Sequence, residues 1–161
     1  VTLSSVPLHQ IMTRHYDQLP RFVLFAGLLF QPLNLEFLQA YGTANPEIMD
    51  MFSFFVTEEL YLERPDPVVL GSILSDPINT HMDHFKMSIV DTVNGEEVNE
   101  LSDLHRLLTE PADRYVIRFV GGGMPVVIEA ERIAAATERI IKQYGVTRTE
   151  YLGEARENET P

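Results

Sequence analysis

Arg21-Phe22-Val23-Leu24-Phe25-Ala26-Gly27-Leu28-Leu29-Phe30-Gln31-Pro32 contains the longest apolar-rich stretch of the chain. Its first five residues are aromatic and β-branched enough for a buried strand. Ala26-Gly27 interrupts the run, and Leu28-Leu29-Phe30 resumes it. A glycine inside an apolar run marks a bend or a close backbone approach, and the proline ends the run. The nine residues from Phe22 to Phe30 are too few to cross a bilayer. The stretch therefore reads as buried strand of a soluble domain, interrupted at Ala26-Gly27.

Outward from it, Leu3, Leu8 and Ile11 lie in a Ser/Thr/Pro context that predicts an extended strand and a loop. On the other side, Asn34 is placed to cap a short helix over Leu35–Tyr41, with Gly42 as its stop. Asn45-Pro46-Glu47 is a second helix start, and Ile48, Met51, Phe52 and Phe55 follow at helical spacing. Arg64-Pro65-Asp66-Pro67 breaks that helix. Val68–Leu74 reads as a strand with a bulge at Gly71, then Ser75-Asp76-Pro77 as a turn. Ser88–Val93 is another strand, and Asn94-Gly95 is a strong tight-turn signal. Ser102 is placed to cap a helix carrying Leu104, Leu107 and Leu108, which Pro111 ends. Tyr115–Val120 and Pro125–Glu129 form a hairpin across three glycines. A last helix from about Arg132 to Tyr144 puts Ile133, Ala136, Ile140, Ile141 and Tyr144 on one face, with Gly145 as its stop. From Thr147 onward the chain is polar and reads as frayed.

The chain has 161 residues, an apolar share of 45% and a charged share of 22%, which is enough for one domain with a real core. A net charge of −12 argues against nucleic acid and against an anionic membrane surface. There is no cysteine, hence no disulfide framework, thiolate nucleophile or Cys-based zinc site. Val1, not Met, opens the sequence, which reads as a mature product or an excised piece. No signal peptide is expected, because no basic stretch precedes a long apolar run.

No nucleophile turn of the Gly-Asp-Ser-Gly or Gly-x-Ser-x-Gly kind is present, so no catalytic residue is assigned. His81-x-x-His84 with Asp83 is the one metal-like spacing, but it lacks a clear third ligand and reads as a solvated loop. The triple glycine is followed by Met124-Pro125, not by Lys-Ser/Thr and a helix, and reads as a turn. Neither a metal nor a cofactor is expected. The informative combination is Asn94-Gly95-Glu96-Glu97-Val98 with the capped helix behind it, set against the apolar-Gly-apolar run at Phe25–Leu28. Together they describe a groove with a strand edge as one wall and a helix as the other, suited to a peptide added as a strand.

These residues resemble a PDZ domain, specifically the C-terminal, second PDZ-like domain of plant-type Deg proteases in the HtrA superfamily. The resemblance rests on Phe25–Pro32, on Leu38-Gln39-Ala40-Tyr41-Gly42, on Val68–Asn79 and on Val93–Leu101, and it runs from about Arg14 to Arg148. It implies an α+β fold: a bent antiparallel sheet or partial barrel with a groove helix, a helical insertion and a C-terminal helix. The domain would be residues 1–148, the insertion 33–66 and the polar tail 149–161. The resemblance implies a non-catalytic, peptide- or protein-binding module of a serine protease whose catalytic domain lies upstream. Phe25, Ala26, Gly27, Leu28, Leu29 and Phe30 match the carboxylate-binding loop and its strand. Asp103, Leu104, Leu107 and Leu108 match the groove helix, with Leu107 lining an apolar pocket and Asp103 accepting a hydrogen bond from the peptide. Partners would be a peptide or protein segment, sibling PDZ or protease domains, or a second copy meeting the insertion around Met49–Phe55. A bacterial cell envelope or a plant organelle would suit the resemblance. Two departures stand out. Pro32 shortens the strand, and the insertion is long enough to cover the groove, which would leave an assembly element that binds no free peptide.

Overall fold

The structure, a computed structural model, describes residues 19–153; the opening segment with Leu3, Leu8 and Ile11 lies outside them. The chain runs β1 (Phe22–Phe25), β2 (Leu28–Pro32), α1 (Leu35–Tyr41), α2 (Pro46–Thr57), β3 (Val68–Ile73), β4 (Val90–Val93) and β5 (Glu96–Glu97). It continues with α3 (Leu101–Thr109), β6 (Arg114–Phe119), β7 (Val126–Glu129), α4 (Ile133–Tyr144) and β8 (Glu150–Tyr151). Single 3₁₀ turns cover Pro77–Asn79 and Asp83–Phe85. Among the described residues the strands form two antiparallel sheets, ordered β3-β2-β1-β8 and β5-β4-β6-β7. The expected α+β architecture, with its insertion between β2 and β3, is what the chain adopts.

Two-residue turns join β1 to β2 and β4 to β5. Ala26 and Gly27 have φ of 50° and 82°, and Asn94 and Gly95 have 50° and 85°. Paired positive φ values match the right-handed twist of the flanking strands. Asn94 adds its side chain, whose Oδ1 accepts from the Val116 N–H at 2.8 Å, so this turn is pinned to β6. β2 alternates buried and half-buried residues, and Leu28 and Phe30 reach the core with no exposed surface. The pairing of β2 with β3 steps from Leu29–Ser72 to Phe30–Leu70, which leaves Gly71 as the unpaired bulge residue. A Cβ there would sit 3.0 Å from the Phe37 ring and 2.8 Å from the Gln31 amide oxygen, so the insertion's close approach requires glycine.

The principal core lies between the two sheets and α3 and includes Leu28, Phe30, Leu104, Ile117 and Ile128. A second core joins Leu33, Phe37, Ile48 and Phe55 to Val69 and Ile89. The insertion is thus bound to the β3 side of the first sheet. Its helices begin as the sequence predicts: Asn34 accepts from the Phe37 N–H at 2.9 Å, and Pro46 opens α2. The start of α3 differs. Its N-cap is Glu100, not Ser102, and Asp103 accepts from the Asn99 and Glu100 N–H groups at 3.1 and 3.3 Å. On α4, Ala136 and Ile140 are buried, whereas Ile141 and Tyr144 are exposed, and the Tyr144 hydroxyl donates to the Ser75 carbonyl at 3.0 Å. The segment read as frayed from Thr147 contains β8, which pairs with β1.

Candidate functional site

Helix α3 packs across β1 and β2 through Leu101, Leu104, Leu107 and Leu108, all buried in the principal core. Leu107 and Leu108 are 3% and 4% exposed, so they fill core, and no open apolar pocket forms at them. Asp103 spends its carboxylate on the turn before its own helix. His105 is the α3 side chain that reaches β8, where its Nε2 lies against the Glu150 carboxylate.

The geometry of Ala26–Phe30 differs from an open carboxylate loop with a free strand behind it. Leu28–Phe30 belong to β2, which is paired on both sides, to β1 and to β3. The turn itself is 2% exposed at Ala26 and is wedged against residues 74–79. Asn79 donates through Nδ2 to the carbonyls of Ala26 and Leu74, at 2.9 Å each, and the Leu74 N–H donates to the Gly27 carbonyl at 2.7 Å. A Cβ at Gly27 would fall 2.4 Å from Asn79 Nδ2 and from the Leu74 oxygen. This knot is structural. Asp76 beside it is buried and capped by Arg139, whose Nε and Nη2 donate at 2.9 and 2.7 Å. Those bonds hold the Asp76 carboxyl below its ordinary range, against the opposing effect of burial and with help from the Ile78 N–H.

The strand edge that faces the helix is therefore that of β1, not β2. Phe25 is the member of the sequence-read set that lies on it; its ring meets the Tyr115 ring edge-on at 5.1 Å. Along this edge runs β8, antiparallel, with Phe22 opposite Tyr151 and Val23 opposite Glu150. The Leu24 N–H donates to the Thr149 carbonyl at 2.7 Å. Leu152, just beyond, packs half-buried against the principal core. Reading Thr147 onward by polarity missed this. The usable signal was the short apolar pair Tyr151-Leu152 ahead of Gly153.

Among the described residues no three His, Asp or Glu side chains gather as a metal site, and His84 instead stacks near the Phe85 ring. No helix among them is long and apolar enough to cross a membrane.

Two antiparallel sheets and a helix laid over the β1–β2 hairpin define a mixed α+β domain. The sequence profile of the PDZ domain family matches residues 11–150, and the chain belongs to that family. It is similar to two proteins of Arabidopsis thaliana. One is "Putative protease Do-like 3, mitochondrial", 26% identical over 88% of this chain and 24% of that protein. The other is "Putative protease Do-like 12, mitochondrial", 23% identical over 91% of this chain and 26% of that protein. The chain spans about a quarter of the length of each.

Proposed function

We propose that this domain holds an extended protein segment as an extra strand on β1, beside α3, as a non-catalytic part of a Deg/HtrA-type serine protease. The observation that carries the reading is the position of β8. The β1 edge beneath α3 already accepts an antiparallel segment, with a main-chain bond on one side and a side-chain contact from the helix on the other. Main-chain bonds of this kind supply affinity, and alternate side chains supply selectivity. The names of the two relatives support a protease as the parent. We assign proteolysis to parts of such a protein that this chain does not cover.

The segment on β1 continues beyond Gly153 as chain, so the groove suits an internal segment as well as a chain end. The test is an NMR titration of the chain with seven-residue peptides ending in an apolar residue, taken to millimolar concentration as free acid and as amide. Shifts at Phe22–Phe25 and along α3 are expected, with acid and amide binding within a few-fold of each other. Shifts confined to other surfaces would remove the groove from the account. A second reading, assembly through the insertion, draws on Met49, Phe54 and Leu62, which stay 43%, 53% and 55% exposed.

A further inference from the structure

We propose that Thr149–Gly153 is a resident strap that keeps the β1–α3 groove closed, and that a partner segment enters by displacing it. The proposal rests on the groove reading above and adds the regulation and selectivity of that site.

The strap is held from both walls. On the sheet side it is registered against Phe22 and Val23, and its Thr149 carbonyl accepts from the Leu24 N–H. On the helix side the Glu150 carboxylate lies against His105 Nε2. Leu152 covers part of the core, and Gly153 turns the chain at φ 93° close against Arg21, where a Cβ would meet Cδ at 3.2 Å. The hold is short, with two residues in strand geometry, whereas β6 in the other sheet is paired along both edges. Short, edge-bound segments open at a small fraction of the global unfolding cost.

The tether sets how well the strap competes. Gly145 ends α4 at φ 65°, and only Val146–Arg148 separate it from the strap. A flexible link this short gives an effective concentration on the order of millimolar. A free segment must exceed that, or bind better, to take the edge. Selectivity follows from what the strap presents. Glu150 and Leu152 are two apart and so share one face of an extended segment. The displacing class is a segment with a carboxylate followed two residues later by an aliphatic side chain.

The experiment uses the full chain and the variant Glu150→Pro/Tyr151→Pro, which removes the Tyr151 N–H opposite Phe22 and the Glu150 contact with His105, and restricts the strap backbone. The probe is a free peptide of the sequence Thr147–Gly153, alongside the same peptide with Lys for its Glu and Ser for its Leu. Amide exchange and an NMR titration are read together. The Leu24 amide should exchange at least tenfold faster in the variant, while amides of β6 keep their native protection and report that the domain is folded. The peptide should bind the variant at least tenfold more tightly than the parent chain, and the altered peptide should lose most of that binding. Leu152→Ser should fall between the two, which guards against an effect peculiar to proline. Unchanged Leu24 exchange, or equal peptide affinity for parent and variant, overturns the strap and leaves strand addition standing. An edge that opens in the variant yet takes no peptide overturns the groove reading, and with it the strap's role as competitor.

Discussion

Asn79 does more for the fold than any catalytic-looking residue of the sequence. Its amide ties the Ala26-Gly27 turn to Leu74, and its Oδ1 accepts from the Asp76 N–H at 3.1 Å. Replacing it with alanine strands two carbonyls away from water, each worth about 1–3 kcal/mol. We expect Asn79→Ala to lower unfolding stability by about 3 kcal/mol in a urea titration, where loss of under about 1 kcal/mol would mean the knot is slack. The glycines separate in the same way. Gly27→Ala meets backbone at 2.4 Å as well as carrying a positive φ, whereas Gly122→Ala has a positive φ and open space. Gly122→Ala should cost about 1 kcal/mol, the left-handed penalty alone, and Gly27→Ala clearly more. Asp76 gives the acid limit. Its folded pKa lies below the unfolded value of about 3.9, so its pair with Arg139 contributes fully above about pH 4. That contribution is lost as pH falls through the folded pKa. Asp76→Asn should therefore be less stable than the parent near neutrality, with the gap closing in strong acid; a gap independent of pH would deny the pair its role.

At the scale of elements, α3 shows how one helix is made by its ends and fixed by its face. Asp103 gathers the N–H groups of Asn99 and Glu100 at its start. Asp103→Ala should cost about 1 kcal/mol, as lost caps do, and leave peptide affinity alone. A large loss of peptide binding would restore Asp103 to the groove. Leu104 is fully buried beneath the hairpin, and Leu104→Ala should cost about 3 kcal/mol of stability. The helix was legible from Leu104, Leu107 and Leu108, yet its start was not, because Glu100 is not a preferred cap residue and Asp103 does the capping from within the first turn. Gly71 was read rightly as a bulge from its place in an apolar strand. The reason for glycine there, the approach of Phe37, lies in another element.

The whole molecule is two sheets sharing one core, with the insertion fastened to one side. Arg64 makes the fastening. It donates through Nη1 to the Val90 carbonyl at 3.2 Å and pairs with Asp91, so the exit of the insertion is tied to the second sheet. Arg21 pairs with Asp66 at 3.1 Å on the same exit. The apolar residues of the insertion pack against Val69 and Ile89. The exposed Met49 and Phe54 face away from that second core, and the acidic charge opposes close approach of copies. If the insertion is an assembly surface, light scattering will show association that grows with concentration and salt, and Met49→Ser/Phe54→Ser will reduce it with stability changed by less than about 0.5 kcal/mol. A monomer at every concentration would remove the insertion as an assembly surface of this domain. The pure chain should also leave an unfolded substrate such as casein uncut, and cleavage stopped by a serine-directed inhibitor would reverse that assignment.

Local chemistry was determined by the sequence alone. Strand runs, the break at Ala26-Gly27, the Asn94-Gly95 turn, the Asn34 cap, the Pro46 start and the Gly145 stop each depend on residues within a few positions of one another. Period and turn preference therefore expose them directly. The order of these elements sufficed for the fold family. Strand neighbours were decided only by the tertiary structure. Whether Leu28–Phe30 is an edge or a central strand depends on β3, some forty residues away, and whether β1 is left as an edge depends on β8, more than a hundred away. A dipeptide such as Glu150-Tyr151 is too short to demand a strand by its own propensity and becomes one because the β1 edge supplies its partners. The groove's helix could be named from the chain, but which strand edge faces it, and what lies along that edge, are set by long-range pairings.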